Sequence, residues 1–295
     1  MTAPRVLDPA VLAGLSGLSL RVDAVVEGVL AGLHRSPFRG ASSEFAEHKE
    51  YSAGDELRTI DWKLLGRTDR YYVKQFHEET NLSAYLVIDG SASMNFGTPL
   101  TKHDYAAVLA ASLAYLIGNQ VDMVGLAIAA PDAFSFTPSR TGRVHLQHLV
   151  DELQRAEPGP GAGDLAAALD HVSERIRRRS VVFVFSDFLV EEAPVLAALA
   201  RLKSRPAEVV LVQTLTPEEL RFPYREAARF RDPEDGGELP LDPEVVRNEY
   251  DAALQAFLQR WREEAHARAM GHLLVDTGRP ADRVLRELLG RGTSA

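Results

Sequence analysis

The chain has 295 residues, 45% hydrophobic and 25% charged, the composition of a soluble globular protein of one or two domains rather than a disordered one. It has no cysteine, which excludes disulfides, thiolate nucleophiles, iron–sulfur clusters and Cys-based zinc sites, so any metal must be held by oxygen or imidazole. With 42 acidic against 33 basic side chains, the formal charge of −9 argues against a general nucleic-acid binder, whose affinity rests on lysine and arginine neutralising phosphates.

The N-terminus, MTAPRVLDPA, lacks the basic-then-apolar order of a signal peptide. The longest weakly polar run, Ala106–Ile117, falls short of the roughly 20 residues that span a bilayer. The expectation is a cytoplasmic protein without a membrane span.

Taken in order, Asp8 to His34 carries apolar residues at spacings of three and four, among them Val22, Val25, Val26 and Val29, and predicts an amphipathic helix interrupted near Gly14 and Gly17. Glu44 to Asn81 is dense in charge and aromatics without a clean period, so it should be irregular or built of short strands. From Leu82 the pattern becomes βα-like. Strands are predicted at Leu82–Ile88, Met123–Ala129, Phe134–Phe136, Val181–Phe185, Glu208–Thr214 and His272–Asp276. Helices are predicted at Lys102–Gly118, Arg143–Arg155, Asp164–Arg178 and Glu191–Lys203, with others within Glu244–Met270 and Ala281–Leu289.

The four-residue link Ala130–Ala133 is too short for a crossover, so the second and third strands should form an antiparallel hairpin at one edge of an otherwise parallel, doubly wound six-stranded sheet. Residues 222–241 interrupt the alternation and read as a small hairpin insertion turning at Asp235-Gly236-Gly237. The fold class is therefore α/β, with an N-terminal helical and irregular region over 1–81 packed on a sheet domain over 82–290.

Chemistry concentrates after the first strand of this sheet. In Asp89-Gly90-Ser91-Ala92-Ser93, three oxygen-bearing side chains alternate at the carboxyl end of a strand, where open α/β sheets bind ligands. Taken alone, this pattern is more often a capped turn with serines satisfying backbone groups. A second aspartate, in Ser186-Asp187 after the fourth strand, moves the reading to a ligand site, because the strand order 3-2-1-4-5-6 makes those two strands neighbours. Asp89, Ser91, Ser93 and Asp187 make an oxygen-only set suited to Mg2+ or Mn2+.

DGSAS with the later SDF resembles the metal-ion-dependent adhesion site of the von Willebrand factor A fold. In that site a threonine loop adds a hydroxyl, and a protein ligand often completes the metal shell with a carboxylate. Here the corresponding stretch is Gly161-Ala162-Gly163-Asp164-Leu165, so Gly163 stands at the threonine position and metal binding is expected to be weak. On this reading Gly163→Thr should tighten it.

The string from Glu44 to Trp62, continued by Arg67-Thr68-Asp69-Arg70 and Val73-Lys74, is similar to the hallmark of the bacterial domain-of-unknown-function 58 family. The likeness extends from about Leu30 to Leu289 and implies a partner of MoxR-type AAA+ ATPases, acting in protein remodelling or metal-centre maturation. Within the hallmark, Arg58, Asp61, Trp62, Arg67, Asp69 and Arg70 read as an ion-pair network with an apolar anchor, tying the segment to the sheet. The sharper alternative makes them a partner-docking surface.

Weaker signals remain. His145 and His148 share a helical face but lack a carboxylate motif, and read as surface or packing histidines. There is no GxxxxGK[ST] for nucleotide hydrolysis. The leading expectation is a non-catalytic protein-binding module. Its rivals are a metal-dependent phosphatase or hydrolase with Asp89 as nucleophile, and a scaffold with a vestigial, metal-free site.

Overall fold

The computed structural model describes residues 17–33, 48–50, 72–74, 82–119, 122–131, 134–161 and 163–292. By its internal contacts the chain divides into two compact units, one of residues 1–35 with 82–295 and one of residues 36–81. The N-terminal helix, grouped by sequence with the hallmark segment, thus belongs to the same unit as the sheet.

In the smaller unit, β1 (His48–Glu50) and β2 (Tyr72–Lys74) pair antiparallel with Lys49 opposite Val73. These are the short strands expected of a charged stretch without a clean period. Arg58, Asp61, Trp62, Arg67, Asp69 and Arg70 lie outside the described residues.

The larger unit is built on six strands: β3 (Ser83–Asp89), β4 (Met123–Ala129), β5 (Phe134–Arg140), β6 (Ser180–Ser186), β7 (Ala207–Leu215) and β10 (Gly271–Asp276). Their spatial order is β10-β7-β6-β3-β4-β5. All neighbours run parallel except β4 and β5. This is the predicted doubly wound order, with β3 at the centre and the reversal of winding between β3 and β6. β5 runs four residues beyond its predicted end because, as an edge strand, it tolerates Pro138, and the pairing absorbs the irregularity in a register shift between Val124 and Leu126.

Two helical layers cover the sheet. Ala84, Leu86 and Ile88 of β3 face α1 (Leu18–Leu33), α2 (Lys102–Gly118), α3 (Arg143–Arg155) and the last helix, α8 (Ala281–Gly292). Tyr85 and Val87 face the opposite way, onto α4 (Leu165–Arg175), α5 (Glu192–Lys203) and the long α7 (Pro243–Ala267). The alternation is the two-residue period of a strand buried on both faces. The α1 stripe Leu18, Val22, Val25, Val26 and Val29 is buried, as its three-and-four spacing requires. Helix α2 is apolar nearly all round and correspondingly buried from Lys102 to Ala114 with one intermediate position, Asp104.

A short helix, α6 (Pro217–Arg221), follows β7. Its Thr216-Pro217-Glu218-Glu219 start carries a capping box, a signal readable in the sequence but passed over in the prediction. The insertion is the expected hairpin, β8 (Ala228–Arg231) against β9 (Glu238–Leu241), turning through Gly236 at φ +76°. It is anchored by Phe222, whose ring stacks on Tyr250 of α7 at 4.4 Å, while Arg247 donates to the carbonyls of Phe222 and Tyr224 at 2.7 and 2.6 Å. No helix of the described residues is long and apolar enough to cross a membrane.

Candidate functional site

The site is assembled at the carboxyl ends of β3 and β6. Ile88 lies opposite Phe185 in the parallel register, so Asp89 and Asp187 emerge at adjacent strand ends. Backbone hydrogen bonds stitch the following loops together: Gly90 N–H to Ala129 O, Ala92 N–H to Gly161 O and Gly159 N–H to Gly90 O, each 3.0 Å. The loop after β6 is held by Phe188, whose backbone takes the left-handed φ of 59° and whose buried ring packs on Trp261 of α7 at 4.6 Å. That strain is sustained by the packing and by the Phe188 N–H, which donates to Ser186 Oγ at 2.8 Å.

The structure brings all four predicted residues together and buries them: Asp89, Ser91 and Asp187 are 0% exposed and Ser93 is 6%. Around Asp89 every partner is neutral. Its Oδ1 accepts the Ser91 N–H at 2.9 Å and its Oδ2 accepts the Ser186 hydroxyl at 2.5 Å. The hydroxyls of Ser91 and Ser93 bond each other at 3.1 Å. Burial, and next the charge of Asp187, push the Asp89 carboxyl up to about 6 despite these hydrogen bonds.

Asp187 has a charged partner. Its Oδ1 accepts the Leu189 N–H at 3.0 Å, and its Oδ2 accepts from the Lys102 ammonium at 2.7 Å. Lys102 Nζ also donates to Glu219 Oε1 at 2.5 Å. Glu219 is oriented by its capping box, since its Oε2 accepts the Thr216 N–H at 2.8 Å and Oε1 is the oxygen left for the lysine. Burial pulls the Lys102 ammonium down, but the charges of Asp187 and Glu219 more than offset it, and the group stays above its ordinary value.

Lys102 and Glu219 were missed in the sequence. Glu219 had its capping box as a signal, and Lys102 had one too: it opens an otherwise apolar helix at the end where the dipole disfavours a cation.

The Gly163 loop also arrives, but without a donor or space for one. A Cβ at 163 would press into the Ala129 carbonyl oxygen and come within 3.3 Å of both Asp89 Oδ1 and Ser91 N. The expectation that Gly163→Thr improves the site is therefore corrected: the backbone occupies the place that the threonine side chain would need. The expected histidines serve elsewhere, His145 Nε2 lying 2.7 Å from Val124 O and His148 3.7 Å from Glu152.

A cleft of about 950 Å3 opens above the site, between its loops and the insertion hairpin. Its floor reaches Ser93, Lys102 and Glu219, and its walls include Leu189, Phe222 and Tyr250. Glu234, at the hairpin tip, is raised by burial and then by Asp187, Asp232, Asp89 and Asp235, which places the insertion within electrostatic reach of both strand ends.

The family model described as "Protein of unknown function DUF58" matches residues 47–259, more than half of the chain. The chain belongs to the DUF58 family. An uncharacterized protein of Mycobacterium tuberculosis is 33% identical over 257 residues, 84% of this chain and 79% of its own length. Among solved structures, an aerotolerance-related membrane protein from Bacteroides fragilis is similar at 16% identity, over 71% of this chain and 99% of that one, with a TM-score of 0.49. The VWA domain of SpRpn10 is similar at 13% identity, over 71% of this chain and 94% of that one, with a TM-score of 0.39. This DUF58 member has a doubly wound, mostly parallel six-stranded sheet, with its Asp-x-Ser-x-Ser loop at the point where the winding reverses.

The resemblance of the Asp-x-Ser-x-Ser loop to an adhesion-type site implies a metal ion there, and the side chains fit one poorly. Both Asp89 oxygens already accept hydrogen bonds, Asp187 Oδ2 is held by an ammonium, and Gly163 offers no side-chain oxygen. Among the described residues, no group of three or more His, Asp or Glu side chains is arranged to hold a metal ion.

Proposed function

We propose that this DUF58 chain is a non-catalytic protein-binding module of the cytoplasm, and that its partner is a MoxR-type AAA+ ATPase or that ATPase's client. The observation that carries the reading is the cleft at the carboxyl end of the sheet. It is roofed by a hairpin anchored through stacked aromatics, and it presents apolar walls, Leu189 being 45% exposed, beside mixed charge. Aromatic and apolar anchors within a polar rim are the composition of a protein-docking surface.

The chemistry beneath the cleft supports binding over turnover. A nucleophilic Asp89 would need an oxygen facing substrate, yet the residue is 0% exposed and each of its oxygens accepts an internal hydrogen bond. Ser91 and Ser93 bond each other rather than a base. The burial of Asp89 and Asp187 also moves the docking contacts outward, from the strand ends themselves to the cleft walls.

Interferometry against the MoxR-type ATPase of the same organism tests this, with p-nitrophenyl phosphate and ester assays run in parallel. Binding is expected for the wild type, weakened roughly tenfold or more by Leu189→Asp, which puts a charge on the apolar wall. Turnover lost in Asp89→Asn, with no ATPase binding, would place the chain among enzymes instead.

A further inference from the structure

The observed site differs from the expected metal site in a definite chemical way: Asp187, one of its two carboxylates, is already held by an ammonium. We propose that Lys102 is the resident cation of this site, so that the site is complete without a divalent metal and excludes one.

Four observations converge on it. Lys102 Nζ bridges Asp187 Oδ2 at 2.7 Å and Glu219 Oε1 at 2.5 Å, with the lysine and aspartate side chains 0% exposed. An ammonium so enclosed is held by charge on two sides, which is the condition under which a buried cation is tolerated. Its acceptors are pre-set: Glu219 by the capping box, Asp187 by the Leu189 N–H and by the strained Phe188 backbone behind it. The Gly163 loop, where the resemblance would put a third oxygen ligand, has no side-chain oxygen and no room for one, since a Cβ there would press into the Ala129 carbonyl. Finally, Lys102 is the first residue of α2, where the helix dipole opposes its charge, so its place there is sustained by the two carboxylates.

The consequence reaches the chemistry of recognition. An adhesion-type metal captures an acidic side chain by accepting it as a ligand. An ammonium bridged to two carboxylates offers an incoming group at most its third N–H and no metal coordination position, so a partner is recognised through the cleft walls and not through a metal-bound carboxylate. The inference concerns the chain alone and stands or falls independently of any ATPase.

Manganese is the probe, titrated into the full chain and followed by the electron paramagnetic resonance of the free ion. The wild type is expected to show no saturable site, and its melting temperature should be the same in chelator and in excess Mg2+. Lys102→Met keeps much of the stem volume and removes the charge. It should gain one site, roughly tenfold or more tighter than any wild-type binding, and lose it again in the double variant with Asp187→Asn. If Lys102→Met does not fold in chelator, Mn2+ should restore its circular dichroism. A saturable wild-type site abolished by Asp187→Asn would overturn the proposal. So would a folded Lys102→Met without gain, or an unfolded one that Mn2+ fails to restore.

Discussion

Asp89 and Asp187 lie at the ends of neighbouring parallel strands and are equally inaccessible to water, yet their surroundings treat charge in opposite ways. Asp89 sits in a net of neutral donors, a backbone N–H and a serine hydroxyl, and is pushed up to about 6. Asp187 faces an ammonium that a third carboxylate, Glu219, helps to hold. Burial is common to both, so it is not what distinguishes them. What distinguishes them is the nearest partner, neutral donors for Asp89 and an ammonium for Asp187.

The sharpest way to break this comparison is to make the two sides alike. Lys102→Met leaves Asp187 and Glu219 facing each other without a cation, and breaking a buried pair from one side costs about 3–5 kcal/mol. Urea unfolding of wild type and variant measures it. A loss below about 1 kcal/mol would mean that the pair behaves as a surface contact.

The second prediction concerns the neutral side. Because the folded chain holds the Asp89 proton more firmly than the unfolded chain does, Asp89 favours folding most at pH below its ordinary value of 3.8, and that contribution fades as pH rises through about 6. The span is worth on the order of 3 kcal/mol at neutral pH and above. Asp89→Asn retains an oxygen for the Ser91 N–H and cannot ionise, so its stability should lose this slope, approaching wild type near pH 4 and exceeding it near pH 8. Parallel stability curves for the two proteins between those limits would show that Asp89 does not titrate there.

A smaller effect is expected where the third loop meets both sides. Gly163→Ala forces a methyl against Ala129 O and toward Asp89 Oδ1, and overpacking of this kind costs about 1–3 kcal/mol. If chemical denaturation shows the substitution to be nearly neutral, the loop has slack and room for a side chain at 163.

What was legible in the sequence was whatever local pattern encodes. The strands at Met123–Ala129 and the helices Lys102–Gly118 and Arg143–Arg155 fall where periodicity put them, because the burial of successive residues follows directly from strand and helix geometry. The length of the Ala130–Ala133 link settled the antiparallel edge, and the doubly wound order assumed for the βα units is the one that sets Asp89 beside Asp187. Even the Asp-x-Ser-x-Ser loop was readable, since its residues sit close together in the chain.

The content of the site was another matter. Lys102 meets Asp187 across 85 positions and Glu219 across 117, and no pattern along the chain announces such a pair. Gly163 looked like a missing hydroxyl, whereas the fold shows a backbone filling the space. Which oxygens stay available, and which are already balanced by charge, depends on how α2, α6 and three loops pack at the carboxyl end of one sheet. Sequence alone determined where chemistry-bearing side chains would gather, because strand order follows from local signals. Only the tertiary structure decided what they do to one another, because electrostatic partnership depends on distances of a few ångströms between residues far apart in the chain.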